Sequence, residues 1–182
     1  TVRGGEAAIG NLIADAMRAA TGADIAITNS GGIRGDREYP AGTLLTRGDI
    51  LTELPFGNKT VTIAMTGADL VAVLEHGLAR AEAISARFPQ ISGMEVTVDL
   101  EKPTGHRVTK VMIGGMSLDP AEDYVLATND FLARGGDGYD VLADGEHLIS
   151  SVDATLMASQ VIDYIATRNT IAPKVERRIV VD

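Results

Sequence analysis

The sequence is organised around one glycine-rich stretch, residues 128–139, which reads TNDFLARGGDGY. It follows an apolar run, residues 124–127 (YVLA), that predicts a strand. Three glycines within four positions allow the backbone to adopt positive φ and to approach a ligand closely. Asp137 lies between glycines, and Phe131 stands at the exit of the predicted strand. The stretch therefore predicts either a binding loop or a plain glycine turn with Phe131 anchored in the core.

The composition limits the classes of partner that the chain can take. Its 182 residues suit one domain, and because only 4% of them are aromatic the core must be aliphatic. A net charge of −9 argues against binding to nucleic acid or to an anionic membrane surface. The chain has no cysteine, which excludes disulfides, thiolate chemistry and Cys-ligated zinc. No signal peptide or long apolar span is recognisable, so we expect no contact with membranes.

Hydrophobic periodicity predicts a mixture of helices and strands along the whole chain. The predicted helices are residues 10–20, 46–54, 66–83 and 153–167. The predicted strands are residues 24–28, 60–66, 93–100, 107–113, 124–128 and 178–181. A turn at residues 102–105 suggests that two of these strands form a hairpin. Because helices and strands do not alternate strictly, we expect an α+β fold, a mixed β-sheet flanked by helices, in one domain over residues 1–182.

Three glycine-containing turns display the residues that suit ligand binding: residues 29–34 (NSGGIR), 55–58 (PFGN) and 130–139. Loops at the ends of rigid elements are where binding residues concentrate. Together these turns carry two Phe, two Asn, an Arg and an Asp, an inventory that suits a nucleoside. Aromatic faces stack on a base, carboxylates accept hydrogen bonds from ribose hydroxyls, and Arg binds phosphate. Each turn alone is more typical of a purely structural turn.

The sequence offers no catalytic centre of its own. His76, His106 and His147 show no metal-ligand spacing with acids, and we interpret them as structural or solvated. No nucleophile elbow, P-loop or dinucleotide fingerprint is present. The helical acids are expected to face solvent, with Asp15 the least certain because of its apolar neighbours; they are Asp15, Asp69, Glu75 and Asp163.

Four motifs, in this order, resemble the C-terminal domain of the 5′-nucleotidase family. They are residues 10–17 (GNLIADAM), 29–34 (NSGGIR), 54–58 (LPFGN) and 129–139 (NDFLARGGDGY). The resemblance covers essentially the whole chain. It implies the fold of that domain and a role in holding the nucleoside part of a substrate.

The resemblance also implies a role for each motif residue. Phe56 and Phe131 would sandwich the base, and Asp137 would bind the ribose hydroxyls. Two arginines would contact phosphate or ribose oxygens, namely Arg34 and, ahead of the first helix, Arg3. Two amides would bind the base edge or order the pocket; they are Asn29 and Asn58. Asp130 and Arg134 add charge beside Phe131, in a loop where the family varies.

The family resemblance implies an enzyme in two parts. An N-terminal metallophosphoesterase domain would hold two divalent metal ions and the catalytic residues, and its metal motifs are absent from this chain. We therefore expect no catalytic residue, metal site or cofactor here, and a fragment that binds nucleotide without hydrolysing it. The chain begins at Thr1 without an initiator Met, so we expect a piece of a longer protein. The resemblance implies a periplasmic, extracellular or cell-surface location.

Other functions stay open at this stage. The parent enzyme could act on nucleoside monophosphates, 2′,3′-cyclic nucleotides or nucleotide sugars. A related metallophosphoesterase acting on a non-nucleotide is the second possibility, and a free-standing nucleoside-binding module is the third. The two phenylalanines discriminate between the first two functions: rings of Phe56 and Phe131 that face each other across a cleft at base-stacking separation favour a nucleoside, and either ring packed in the core excludes it. A domain with metal motifs encoded upstream of Thr1 would exclude the third function.

Overall fold

The computed structural model describes residues 2–182; Thr1, with which the predicted domain begins, lies outside the described residues. The helices are α1 (Ala8–Thr21), α2 (Arg47–Glu53), α3 (Gly67–Leu78), α4 (Asp140–Ala143) and α5 (Met157–Arg168). The strands are β1 (Ile25–Asn29), β2 (Thr60–Thr66), β3 (Pro89–Ser92), β4 (Met94–Val98), β5 (Val108–Ile113), β6 (Met116–Ser117), β7 (Asp123–Asn129), β8 (Glu146–Ile149) and β9 (Ile179–Val181).

The strands form two mixed sheets. The larger has the order β3-β1-β7-β2-β8, with β1 parallel to β7 and the other pairs antiparallel. The smaller has the order β6-β5-β4-β9, with β4 parallel to β9 and antiparallel to β5 in the predicted hairpin. Helices and mixed sheets together confirm the predicted α+β class.

The larger sheet is covered on both faces, which explains why β1 is buried throughout and most of β2 and β7 is buried too. Ile25 and Ile27 of β1 pack toward α3 and the smaller sheet, whereas Ala26 packs toward α1, α2 and α5. β7 alternates in the same way, with Leu126 on the first side and Ala127 on the second. The core therefore has two layers with β1 and β7 between them, and it is aliphatic as the composition predicts.

Local signals set several element ends. Thr46 caps α2 in a reciprocal capping box with Asp49, and Thr66 caps α3 by accepting from the Asp69 N–H. The α1 helix ends at Gly22, whose φ of 68° closes a C-terminal cap. These caps satisfy backbone groups that the helix itself leaves without partners.

Two of the helix boundaries predicted from the sequence were wrong. α3 ends at Leu78, not near residue 83, and the chain continues in turns from Ala79. α5 begins at Met157, not at residue 153, because Leu156 pairs with Lys59 in an isolated antiparallel bridge beside the start of β2. There the Thr60 N–H donates to the Thr155 carbonyl, and the Met157 N–H donates to the Asn58 carbonyl.

Three strands and one helix were missed by the sequence prediction. β3 contains a proline, β6 has only two residues, β8 is a short polar edge strand, and α4 is a single turn. None of these segments carries enough periodic apolar residues to stand out in the sequence. β3 is nevertheless buried throughout, because it pairs with β1 under α1.

Two acids predicted to face solvent are instead held by the fold. Asp15 forms a bidentate ion pair with Arg178 at 2.7 and 2.8 Å and accepts a hydrogen bond from Ser92. Glu75 is buried and accepts from the Val108 N–H at 2.6 Å. Each carboxylate joins a helix to a strand distant in sequence, so neither is a surface charge.

Leu74→Ala should lower the free energy of unfolding by about 2–5 kcal/mol, because this side chain lies fully buried between α3 and both sheets. Leu44→Ala, at an exposed loop position, is the matched control and should change stability by less than about 0.5 kcal/mol. Urea denaturation gives both values. Equal effects of the two changes would contradict the core as described.

Glu6→Gln should weaken the acid dependence of stability. Burial raises the pKa of Glu6, but hydrogen bonds from Asn11 and from the backbone of Glu176, Ile179 and Arg178 outweigh it and leave the pKa below 4.5. A lowered pKa stabilises the fold above that ordinary value, and the benefit is lost as pH falls through the folded pKa. The gap between the urea midpoints of wild type and variant should therefore narrow from about pH 7 to about pH 3. Glu38→Gln, on an exposed loop, should show no comparable narrowing.

Candidate functional site

The three glycine turns meet at one edge of the larger sheet. β1 and β7 are parallel and end at Asn29 and Asn129, and the antiparallel β2 begins at Thr60, which lies opposite Asn129. Just beyond this pair, the Asp130 N–H donates to the Lys59 carbonyl at 2.9 Å, and the Lys59 N–H donates to the Asp130 carboxylate at 3.0 Å. Backbone pairing thus brings the turn after β7 beside the turn before β2.

The turn after β7 holds Phe131 at the surface. Two short 3₁₀ turns, Leu132–Arg134 and Gly136–Gly138, fold the loop back on itself. The Phe131 ring rests on Gly136, where a β-carbon would lie 2.5 Å from the ring, so this approach requires glycine. The ring remains 39% exposed, whereas the neighbouring Leu132 is fully buried. The core anchor of this loop is therefore Leu132 and not Phe131.

Phe56 is also exposed, at 57%, in the turn between α2 and β2. The Arg34 guanidinium lies over its ring, 5.5 Å from the centroid, which suits a cation–π contact. Phe56 borders a cavity of about 240 Å³ whose walls are mostly apolar. The other lining residues are Thr28, Gly32, Leu51, Leu54, Pro55, Gly57, Asn58, Asn129, Leu156, Met157 and Ala158.

A chain of amide and carboxylate groups connects the strand ends to Asp137. Asn129 Nδ2 donates to Asn29 Oδ1 at 3.1 Å, and Asn29 Nδ2 donates to Asp137 Oδ2 at 2.7 Å. Asn129 also donates to Thr28 Oγ1, and its Oδ1 accepts from the Leu132 N–H at 2.8 Å. Asn29 is only 3% exposed, with both amide atoms engaged, so its geometry favours ordering the pocket over contacting a base.

A buried carboxylate, Glu53 at the end of α2, anchors the segment that carries Arg34. The Glu53 backbone carbonyl accepts from the Arg34 N–H at 2.9 Å, and the side-chain oxygen Oε2 accepts from the Gly35 N–H at 3.1 Å. The Tyr39 hydroxyl donates to Oε1 at 2.8 Å. Burial, together with this carboxylate, raises the pKa of Tyr39 to about 12, so the phenol keeps its proton as a donor.

Arg3 and Asn58 occupy the rim of the same region. The Arg3 carbonyl accepts from the Ser85 N–H at 3.0 Å, and buried Gln90 donates to the Val2 and Gly5 carbonyls on either side. Val2 also accepts from Ser30, which places the Arg3 segment next to the turn after β1. Asn58 lines the cavity, and its carbonyl accepts from the Met157 N–H.

The structure thus gathers Asn29, Phe56, Asn58, Phe131 and Asp137 at one sheet edge, with Arg34 above Phe56. The sequence patterns predict no role in this site for three residues that hold its side chains or loops in place, namely Asn129, Glu53 and His76. Asn129 lies inside the quoted glycine stretch, and a buried polar residue at the end of an apolar strand is a usable signal. Glu53 and His76 are distant in sequence from the loops they contact, so local patterns do not reveal them.

No group of three or more His, Asp or Glu side chains within residues 2–182 is placed to hold a metal ion. The helices formed by these residues are also too short or too polar for any of them to cross a bilayer.

Comparison with known proteins identifies the family. A family model described as 5′-nucleotidase, C-terminal domain, matches residues 1–144. The chain belongs to this family. This chain is also similar to two longer proteins. It is 38% identical over 98% of its length to the trifunctional nucleotide phosphoesterase protein YfkN of Bacillus subtilis, and 30% identical over 96% of its length to the human 5′-nucleotidase.

A solved structure extends the likeness to three dimensions. The 5′-nucleotidase precursor from Thermus thermophilus superposes over 100% of this C-terminal domain with a TM-score of 0.89 and 34% identity. The chain spans 36% of that protein, 33% of the human relative and 12% of the Bacillus one. These relatives therefore contain this domain as one part of a longer chain, and the family assignment made from the motifs is confirmed.

Asn129→Ala should destabilise the chain by about 1–3 kcal/mol, because the buried Leu132 N–H loses its acceptor and Asn29 Oδ1 loses the donor that Asn129 supplies. Urea denaturation measures the loss. Asn58→Ala removes the same amide from a half-exposed position and should cost clearly less. A smaller loss of stability for Asn129→Ala than for Asn58→Ala would contradict the structural importance of the Asn129 hydrogen bonds.

Proposed function

We propose that this chain binds the nucleoside part of a nucleotide as the substrate-specificity domain of a phosphohydrolase. The observation that carries the proposal is the exposure of Phe56 and Phe131 on two turns joined by the main-chain bond from Asp130 to Lys59, with Phe56 lining an apolar cavity. Folded chains normally bury phenylalanine, and exposed aromatic groups that cluster mark binding sites. Stacking of a base between the two rings would be worth roughly 1–3 kcal/mol per contact.

The polar groups around these rings suit the rest of a nucleoside. Asp137 is held by Asn29 through Oδ2, so in this proposal Oδ1 accepts hydrogen bonds from the ribose hydroxyls. Arg34 stands beside the Phe56 ring, and the Arg3 segment lies next to the neighbouring turn, so both arginines suit ribose or phosphate oxygens. Asn58 lines the cavity and is our candidate for contacting the base edge.

The parent protein, in this proposal, hydrolyses a phosphate ester of the bound nucleotide. Its two divalent metal ions and its catalytic residues belong to an N-terminal metallophosphoesterase domain that precedes this one, and this chain alone positions the substrate without hydrolysing it. The family membership and the fraction of each relative that the chain spans support this division. We place the protein outside the cytoplasm, by analogy with the Thermus relative described as a precursor.

Phe56→Ala and Phe131→Ala should each weaken adenosine binding by about tenfold or more, because each removes one stacking face. Calorimetry with adenosine on the chain measures this, and ribose 5-phosphate, which has no base, should be affected little. Leu148→Ala, another exposed apolar position, is the control.

Unchanged adenosine affinity in both Phe variants would refute the stacking proposal. Binding of ribose 5-phosphate but of no nucleoside would instead favour a non-nucleotide phosphate ester as the substrate.

A further inference from the structure

We propose that His76 is a positioning residue for ribose recognition: it holds the Asp137 peptide so that the carboxylate faces the ribose hydroxyls. This inference rests on the proposed role of Asp137. His76 lies on α3, 61 residues before Asp137, and its Nε2 is 2.9 Å from the Asp137 carbonyl oxygen. Because a carbonyl only accepts, Nε2 carries the proton of this hydrogen bond.

The Asp137 backbone adopts an uncommon conformation that outside contacts stabilise. Its φ of 55° and ψ of 17° lie in the left-handed region, which is unfavourable for residues with a side chain, although Asp tolerates it better than most. Such conformations persist where the surroundings hold them, and they cluster at ligand-binding positions. Two contacts from outside the loop do this: Asn29 fixes the carboxylate through Oδ2, and His76 fixes the peptide carbonyl.

The His76 ring is itself held firmly. It packs edge-on against Tyr139, with ring centroids 4.9 Å apart and planes at 70°. Tyr139 is fully buried, and its hydroxyl donates to the Arg87 carbonyl at 2.6 Å. On the other side lies Gly138, where a β-carbon would be 2.9 Å from the ring, so a side chain there would displace the imidazole. The hydrogen bond to Asp137 is therefore made by a fixed donor.

The positioning role and a purely structural role have different consequences. If the ring only fills space between α3 and the loop, its replacement changes stability and affects all nucleosides alike. If its hydrogen bond orients Asp137, its loss reduces selectively the contribution of the ribose hydroxyls. Adenosine and 2′,3′-dideoxyadenosine separate the two cases, because they share the base and differ only in those hydroxyls.

Two substitutions test the His76 ring and its hydrogen-bond donor separately. His76→Phe keeps an aromatic ring against Tyr139 and removes the Nε2 hydrogen bond. His76→Gln removes the ring and offers an amide donor at the distance of Nε2. Asp137→Ala removes the carboxylate and serves as the reference for complete loss of ribose recognition.

The test is calorimetry of both nucleosides with the chain and its three variants, each checked for folding by circular dichroism. Wild type should prefer adenosine by about tenfold or more, as expected for hydrogen bonds to a charged group. Asp137→Ala should abolish the preference, His76→Phe should remove most of it, and His76→Gln should keep most of it.

The outcomes distinguish a failure of the positioning role of His76 from a failure of the proposed ribose-binding role of Asp137. An unchanged preference in His76→Phe overturns the positioning role, and so does a loss in His76→Gln, which remains decisive if His76→Phe fails to fold. A wild-type chain without preference, or an Asp137→Ala variant that keeps it, refutes instead the proposed role of Asp137 in binding ribose.

Discussion

The Asn129 side chain makes the hydrogen bonds on which the candidate site depends. Its amide nitrogen donates to Thr28 and Asn29 at the end of β1, and its oxygen accepts from the Leu132 N–H in the following loop. One buried residue thereby fixes the ends of two adjacent strands and the start of the glycine loop. Because all of these groups are shielded from water, each unmade hydrogen bond would be costly, which favours a single arrangement of the turns.

A second set of polar contacts, away from this edge, ties the two ends of the described chain together. Arg178, ahead of β9, pairs with Asp15 on α1 and donates to the Ile91 carbonyl on β3. Glu6 accepts from the Glu176 N–H and from Asn11. The segment that precedes α1, which carries Arg3, is therefore held by the C-terminal segment as well as by the sheet. The local stability of the segment that carries Arg3 depends in this way on residues far from it in sequence.

Patterns in the sequence predict the α+β class, the central strands and the family, because β1, β2 and β7 are strongly apolar and the four motifs are specific. They do not predict β3 or β8, whose pairing depends on neighbours and not on their own periodicity. The same limit applies to the site. Phe56, Phe131 and Asp137 stand in visible motifs, whereas His76 on α3 acquires its contact with Asp137 only through the packing of α3 beside the loop. Asp15 and Glu75 look like helix-surface acids until strands distant in sequence supply their partners.

The antiparallel pairing of β2 with β7 has a consequence for how this domain can diversify. The turn that bears Phe56 and the turn that bears Phe131 are joined by the main-chain bond from Asp130 to Lys59, so their separation is set by strand register. Side-chain substitutions on the two turns change their chemistry while the spacing between the turns stays constant. A residue inserted near position 59 would shift that register and alter the spacing itself. Point mutation and insertion therefore act on two separate properties of this region, its chemistry and its dimensions.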